Sequence, residues 1–198
     1  GVFQWNLWLA TVLGLMFAHA TNNLLNDYTD SRRGIDKDNY YRNQYGVHVL
    51  EDGLMSQRQF WRYLGVTAGI ALALGGWLIF QRSGLTLILM LAGTFFVLFY
   101  TWPLKYFGLG EPAVLLVWGP LMVGGTYYVL AGAWSADVTW LSLVFALGPT
   151  TVLFGKHTDK LKEDRGKGVR TLPVLVGETA ARYITMAAIV LSYVILAY

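Results

Sequence analysis

Cysteine is absent from the 198 residues, and charged side chains make up only 14% of them. Without cysteine, the sequence offers no disulfide framework, no thiolate nucleophile and no cysteine-ligated zinc site. With 55% hydrophobic residues and so few charges, the composition is wrong for an ordinary soluble domain. The net charge of +3 does not indicate a nucleic-acid partner, because the basic residues do not form one face of a soluble fold. The composition instead predicts a protein whose solvent is the lipid bilayer.

The sequence contains about six apolar runs long enough to cross a bilayer core of ~30 Å, which takes roughly 20 apolar residues in a helix. We therefore expect an all-α, multi-spanning transmembrane helical bundle, formed by a single domain over residues 1–198. Turn-forming residues separate the runs. We place the runs at about 3–26, 63–81, 84–101, 113–133, 138–155 and 179–198.

The charged residues alternate between successive loops. All but one of the 15 Lys and Arg residues fall in the first, third and fifth loops, and the exception is Arg82 in the second. Because Lys and Arg gather on the cytoplasmic side, these loops are predicted to face the cytoplasm across an inner or plasma membrane. The acidic residues, except Asp137, lie in the same loops, although Asp and Glu contribute little to that sorting. The carboxylates therefore need a chemical explanation.

The first apolar run ends in a polar helical face. Polar groups at this depth are costly unless a cavity or a partner helix satisfies them, and a ladder of interhelical hydrogen bonds is the structural alternative. His19 by itself is more typical of a structural residue than of a catalytic one. Asp36 adds a carboxylate just beyond a bend at Gly34. The side chains on this face or in the stripe beside it step by three and four residues: His19, Asn22, Asn23, Asn26, Asp27 and Asp30.

A second acidic patch occupies the fifth loop. Asp159 and Glu163 share a helical face, whereas Asp164 lies about 140° round from Asp159, so either acid can pair with Asp159. Alone, the patch also suits a solvated loop with salt bridges. Two patches on one membrane face favour Mg²⁺, which binds carboxylate oxygens and completes its shell with water and substrate phosphates. Basic residues on the same face are candidates for holding phosphate oxygens: Lys105, Arg165, Lys167 and Arg170.

The two patches, in this order, resemble the aspartate-rich motifs of the UbiA superfamily of intramembrane prenyltransferases. The matching stretches are 26–30 with 34–36, and 159–165 with 170–177, and the resemblance covers essentially the whole chain. It implies a bundle of about nine spans. We therefore expect this chain to be truncated at both ends. It also implies Mg²⁺-dependent transfer of a prenyl group from a polyprenyl diphosphate to an aromatic small-molecule acceptor.

The resemblance also implies the site residues. Glu163 and Asp164 stay alternatives for the second motif, because the family usually spaces these acids four residues apart and often has Asn where Lys156 stands. The expected catalytic residues are Asp30, Asp36, Asp159 and Asp164, and the expected Mg²⁺ ligands are Asp30, Asp36, Asp159, Glu163 and Asp164. The expected substrate-binding residues are Asn22, Asn26, Asp27, His48, Tyr100, Lys105, Lys167 and Arg170.

Within the superfamily, the spacing from Asp30 to Asp36 and the stretches 104–111 and 119–123 are similar to the 1,4-dihydroxy-2-naphthoate branch, which serves quinone (menaquinone or phylloquinone) biosynthesis. His48 departs from that branch, which commonly has Arg there, and is expected to contact the acceptor. The acceptors left open are 4-hydroxybenzoate, homogentisate, a chlorophyllide and a glycerol ether. Aromatic candidates for the cavity lining, unless they pack between helices or face lipid, are Tyr28, Phe96, Tyr100 and Tyr128.

Two other functions of membrane proteins fit this sequence less well than prenyl transfer. A transporter should carry functional charges near the bilayer midplane, and these apolar runs carry almost none there. A membrane phosphotransferase for alcohol phosphates would need an Asp-Gly pair joined to an Ala-Arg pair ahead of further aspartates, and the sequence lacks that signature. Both are weaker interpretations than prenyl transfer.

Single cysteines near Asp38 and Lys162 are predicted to react with a membrane-impermeant maleimide from the same side of the membrane, since the first and fifth loops share a face. A cysteine near Ser135, in the fourth loop, should react from the other side. The sequence contains no cysteine that would interfere. Labelling of the first two positions from opposite sides would contradict the topology.

Overall fold

The computed structural model describes residues 3–35, 40 and 46–197, and the regular structure in these ranges is helical throughout. The helices follow one another with short connections, apart from the stretch between the first and the second. In chain order they are α1 (Trp5–Arg32), α2 (Gln57–Gln81), α3 (Leu85–Phe107), α4 (Gly110–Ala131), α5 (Ala136–Asp159), α6 (Leu161–Gly166), α7 (Leu172–Val176) and α8 (Glu178–Ala197).

Five of these helices, α2, α3, α4, α5 and α8, are long and apolar enough to span a membrane. They confirm five of the expected spans. Helix α1 has 28 residues and is also long enough, but the polar face of its second half lowers its hydropathy and keeps it out of this set. Many large apolar side chains point outward, among them Phe80 at 86% exposure, as expected for helices that face lipid.

The helices pack in two groups that meet at α4. Helix α1 packs along α2 and also contacts α3 and α4, while α5 packs against α4 and α8. Helices α4 and α5 approach closely at Gly119, where an added Cβ would lie 3.0 Å from the Cβ of Ala146 and 3.1 Å from the Ser142 carbonyl oxygen. A larger side chain at Gly119 would therefore push α5 away from α4.

Helix α3 bends near its end. Trp102 has extended backbone angles, φ −133° and ψ 127°, within a π-helical turn over Tyr100–Leu104 that contains Pro103. Proline has no N–H to continue the helical bonding, and a π-helical turn with a proline is an ordinary cause of a kink. The expected break at Trp102 and Pro103 is therefore a bend, after which a 3₁₀ turn carries Lys105 towards the end of α1.

The charged loops gather at one end of the bundle. Side-chain contacts join the end of α1 to the end of α3, and the start of α4 to the end of α5. A further contact joins Lys167, in the α6–α7 connection, to Ile35, just beyond the end of α1. At the opposite end, Arg82 Nε donates to the Val129 carbonyl oxygen at 3.0 Å. The first, third and fifth loops thus share one end, as the charge pattern predicts, and the cytoplasmic orientation of that end stays a prediction.

Candidate active site

Asp30, in the last turns of α1, is buried at 3% exposure. Lys105 Nζ lies 2.5 Å from one of its carboxylate oxygens, and the Tyr106 hydroxyl donates to the other at 3.2 Å. One turn earlier, the side-chain oxygen of Asn26 accepts from Lys105 Nζ at 3.3 Å and from the Thr101 hydroxyl at 3.1 Å. A buried ion pair needs such additional hydrogen bonds to offset the cost of desolvation. These hydrogen bonds connect α1 to the bent end of α3.

Asp164, in α6, is the second buried carboxylate, at 2% exposure. Burial raises the pKa of its carboxyl above the ordinary value, and Asp30 adds to that rise. Lys160, whose Nζ is 3.8 Å away, opposes the rise, as do His157 and Lys105. The two carboxylates therefore lie within electrostatic reach of each other, and a cation between them would relieve their repulsion.

The same backbone turn follows both aspartates. The amide five residues after each one donates to that aspartate's carbonyl oxygen, at 2.9 Å for Asp30 and 2.8 Å for Asp164, as in a Schellman cap. The residue before that amide is a left-handed glycine in both cases, Gly34 at φ 68° and Gly168 at φ 74°. The two amide-bearing residues pack together with Tyr106 in one buried cluster. Each aspartate therefore lies five residues before a member of this one apolar cluster.

The remaining acids of the two patches differ in burial. Glu163 has a buried carboxylate oxygen, Oε2, without a hydrogen-bond partner, whereas the Asp159 side chain is exposed. An unpaired buried carboxylate oxygen is costly and is a suitable ligand for a cation. Asp36, an expected ligand, lies outside the described residues.

The donor set fits Mg²⁺ held jointly with phosphate. Within residues 3–35, 40 and 46–197, no three His, Cys, Asp or Glu side chains converge as a ready-made metal cage. Mg²⁺ in phosphate-handling sites needs no such cage, because one or two carboxylates bind it and water and phosphate supply the other oxygens. Asp30, Asp164 and Glu163 are the described carboxylates placed to do so.

The expected phosphate-binding cations differ in whether they contact the first motif. Lys167 Nζ donates to the Ile35 carbonyl oxygen at 2.7 Å, which brings a second positive charge from the fifth loop to the end of the first motif. The Arg170 side chain is exposed. Asp27, expected to bind substrate, is half-buried on α1 beside the Asp30 group. Lys105 and Lys167 are therefore the cations that the fold brings to the first motif.

His48 is buried, and its ring faces its own turn. Its Nδ1 accepts the amide hydrogens of Leu50 and Glu51 at 3.3 and 3.2 Å, while its own amide donates to Asp52 at 2.8 Å. Such local bonding is typical of a residue that stabilises a turn. His48 does not belong to the described residues that line the cavity. Its expected role in acceptor binding stays a prediction, without support from this geometry.

A cavity of about 440 Å³ lies between α1, α2, α3 and α4. Asn22 and Tyr100 lie at the end nearer the buried carboxylates. Leu78 and Val129 lie at the far end and belong to a buried apolar cluster. Along α1 the wall runs over residues 11–23, about 18 Å of helix. The cavity is therefore mainly apolar, elongated and polar at one end.

Two of the four aromatic candidates, Phe96 and Tyr100, line the cavity. Tyr28 and Tyr128 are not among its described lining residues and pack elsewhere, which is the alternative that the sequence left open. The Tyr28 ring stacks on Phe60, with centroids 6.0 Å apart, and the Tyr128 hydroxyl donates to a backbone carbonyl in the α2–α3 turn at 3.2 Å.

Glu111 and His157 form a buried pair that the sequence reasoning missed. His157 Nδ1 lies 2.6 Å from Glu111 Oε1, and the two residues are 7% and 1% exposed respectively. The other carboxylate oxygen of Glu111 accepts the Leu172 amide at 3.4 Å. The pair joins the start of α4, the end of α5 and the start of α7, and so fixes the second patch in place. The sequence contains one indication of this role, because Glu111 is the only acidic residue in the third loop and lies on the same face as the two acidic patches.

Replacing Glu111 by Ala is predicted to destabilise the protein by about 1–3 kcal/mol, because a buried imidazole and a buried amide lose their partner. Thermal unfolding in detergent measures the change. The matched control is Glu178→Ala, which removes an exposed pair with Arg182 worth about 0–1 kcal/mol. Equal losses in the two variants would contradict the structural importance of the buried pair.

Comparison with known sequences agrees with this description. The model of the UbiA prenyltransferase family matches residues 1–198. "UbiA prenyltransferase domain-containing protein 1" of Rattus norvegicus is 27% identical over 98% of this chain and 58% of its own length. The "1,4-dihydroxy-2-naphthoate octaprenyltransferase" of Escherichia coli (strain K12) is 29% identical over 81% of this chain and 54% of its own length. The chain thus spans a little over half the length of these relatives.

A solved structure has the same fold. It is that of a UbiA homolog from Archaeoglobus fulgidus bound to GPP and Mg²⁺, which matches 99% of this chain and 66% of that chain. The TM-score is 0.68 at 17% sequence identity. At this identity the likeness shows that the helical architecture is shared.

Proposed function

The chain belongs to the UbiA prenyltransferase family, and on that premise we propose that it forms the diphosphate site and the prenyl cavity of an intramembrane enzyme. The enzyme transfers a prenyl group from a polyprenyl diphosphate to an aromatic acceptor, with Mg²⁺ as cofactor. The observation that carries the proposal is a pair of buried carboxylates, Asp30 bound to Lys105 and Asp164 nearby, beyond the polar end of an apolar cavity. This arrangement matches an amphipathic substrate with a charged head and a hydrocarbon tail.

The charged head belongs at the carboxylate end. Mg²⁺, when bound there, supplies positive charge to the leaving diphosphate. Asp30 and Asp164 would hold the metal, with Glu163 as the further candidate ligand and Asp36 and Asp159 as ligands implied by the family. Lys105, whose Nζ is paired with Asp30 in this structure, would donate to a phosphate oxygen of the bound diphosphate. Lys167 acts in the same way from the fifth loop.

The reaction breaks the bond between the allylic carbon and the diphosphate oxygen and forms a bond from that carbon to the acceptor ring. The substituted ring carbon then loses a proton or its carboxyl group as carbon dioxide, which restores the aromatic ring. Positive charge develops on the allylic carbon as the diphosphate leaves. The ring faces of Tyr100 and Phe96, which line the cavity, are suitable partners for that charge. The apolar wall keeps water from capturing the cation. The chain's own contribution is therefore charge stabilisation at one end and water exclusion along the rest.

For the acceptor, we propose 1,4-dihydroxy-2-naphthoate, with the carboxyl group leaving as carbon dioxide. Two observations support this choice: the likeness of residues 104–111 and 119–123 to that branch, and the name of the Escherichia coli relative. Membranes that carry the complete protein should prenylate this acceptor much faster than 4-hydroxybenzoate. A preference for homogentisate, a chlorophyllide or a glycerol ether would overturn the acceptor and leave the diphosphate site standing.

The proposal includes an orientation. The loops at the site end contain all the Lys and Arg residues except Arg82, so the positive-inside rule favours the cytoplasmic face of an inner or plasma membrane. A polyprenyl diphosphate made in the cytoplasm then reaches the site without moving its charged head across the bilayer.

Replacing either Asp30 or Asp164 by Asn is predicted to lower prenyl transfer about 100-fold or more, because the isosteric amide keeps the volume but loses the charge that holds the metal. Excess chelator should abolish transfer by the wild type. Activity is measured as Mg²⁺-dependent release of diphosphate by the complete protein in nanodiscs.

The matched control is Asp137→Asn, an exposed acid at the opposite end of the bundle, which should leave activity unchanged. Asp159→Asn tests the assignment within the second patch and should cost less than Asp164→Asn. Full activity of the Asp30 and Asp164 variants, or of the wild type in chelator, would contradict the two-carboxylate metal site.

A larger side chain on the cavity wall is predicted to discriminate against long substrates. Ala71 lines the cavity on α2, and Ala71→Phe should lower kcat/KM for octaprenyl diphosphate about tenfold relative to geranyl diphosphate, because the ring shortens the space for the chain. The control is Val66→Phe, on the same helix at an exposed position outside the wall. Equal losses for both chain lengths would show that the chain does not occupy this cavity.

A further inference from the structure

A polar pair faces the cavity about two to three helical turns before the buried carboxylate of Asp30. Asn23 Nδ2 lies 3.3 Å from His19 Nε2, and both side chains are exposed on the cavity wall. Because an amide nitrogen only donates, Nε2 accepts this bond, and the neutral ring carries its proton on Nδ1. The indole of Trp118 contacts the imidazole edge to face, with centroids 5.5 Å apart. The ring is therefore oriented from two sides, with an N–H left for another partner.

The position of the pair excludes the diphosphate as its ligand. His19 precedes Asn26 by seven residues, about 10 Å along α1, and the buried charges lie at Asn26 and beyond. The prenyl chain is excluded as well, since hydrocarbon gains nothing from a hydrogen-bond donor. Among the described residues that line the cavity, only His19 and Tyr100 have ionisable side chains. Polar side chains at membrane depth are costly unless a partner satisfies them, so this pair needs a polar ligand.

Building on the proposed function, we propose that His19, oriented by Asn23 and Trp118, binds the aromatic acceptor through an oxygen on its ring. Nδ1–H donates to a phenol or phenolate oxygen, and the acceptor is therefore a hydroxylated aromatic compound. Asn23 lies four residues, or about one turn, nearer to the diphosphate than His19, so a ring bound here lies between the imidazole and the allylic carbon. The bond turns the electron-rich ring carbon towards that carbon. His19 is an acceptor-binding residue in this scheme, and Asn23 is a positioning residue.

The test uses the complete protein in nanodiscs, with 1,4-dihydroxy-2-naphthoate and geranyl diphosphate as substrates. His19→Phe keeps an aromatic ring against Trp118 but removes the donor, and should raise the acceptor KM about tenfold while the KM for geranyl diphosphate stays within about twofold. His19→Gln, which retains a donor, should recover part of the loss. The control is Thr185→Val, which removes a hydroxyl on α8 away from the cavity wall and should leave both KM values unchanged.

A second readout is specific to the proposed hydrogen bond. The wild type should bind the dihydroxy acceptor more tightly than its dimethyl ether, as measured by titration calorimetry without prenyl diphosphate. His19→Phe should lose this discrimination. An unchanged acceptor KM, an equal rise in both KM values or retained discrimination would overturn the inference. A wild type that binds the acceptor but transfers no prenyl group would count against the proposed function alone.

Discussion

The contact between Asp30 and Lys105 is the interaction on which the geometry of the site depends. Both charges are buried at the end of a bundle whose outer surface is apolar, and neither would be stable there alone. Satisfying them requires α1 to extend past its apolar run and α3 to bend at Trp102, so that its last turn lies across the end of α1. The Tyr106 cluster then brings the second motif alongside, and the Asp164 carboxylate comes within electrostatic reach of the first.

Helix α1 borders both the cavity and the charged end of the bundle. The first half of α1 is apolar and its second half carries a polar face, so a substrate lying along α1 passes from hydrocarbon surroundings to buried carboxylates. Helices α2, α3 and α4 close the apolar part, and the loop after α5 closes the charged part. The proposed substrate, with a long tail and a diphosphate head, fits this gradient in one direction only. Under the proposed function, that fit accounts for the occurrence of acidic loops and an apolar cavity in one chain.

Much of the fold was predictable, because span length, turn residues and charge sorting act locally along the sequence. The carboxylates of both patches were recognisable for the same reason. Contacts between distant elements were not predictable. The spacing of the residues does not show that Asp164 is buried while Asp159 is exposed. It also does not show that Glu111 contacts His157, or that the His48 ring accepts hydrogen bonds from its own turn. Such pairings depend on how α4, α5 and the short helices pack. The polar pair at His19 was visible as a pattern, but only the cavity shows what it faces.

The central claim is that Asp30 and Asp164 jointly hold a divalent cation with a prenyl diphosphate. The most direct measurement is a crystal structure of the complete protein with Mn²⁺ in place of Mg²⁺ and a non-reactive prenyl thiodiphosphate, with the metal located by anomalous scattering. The account predicts a metal peak bound by carboxylate oxygens from both aspartates, with Lys105 Nζ moved from Asp30 to a phosphate oxygen and the prenyl chain along α1. A metal bound elsewhere, or a diphosphate held without either aspartate, would contradict it.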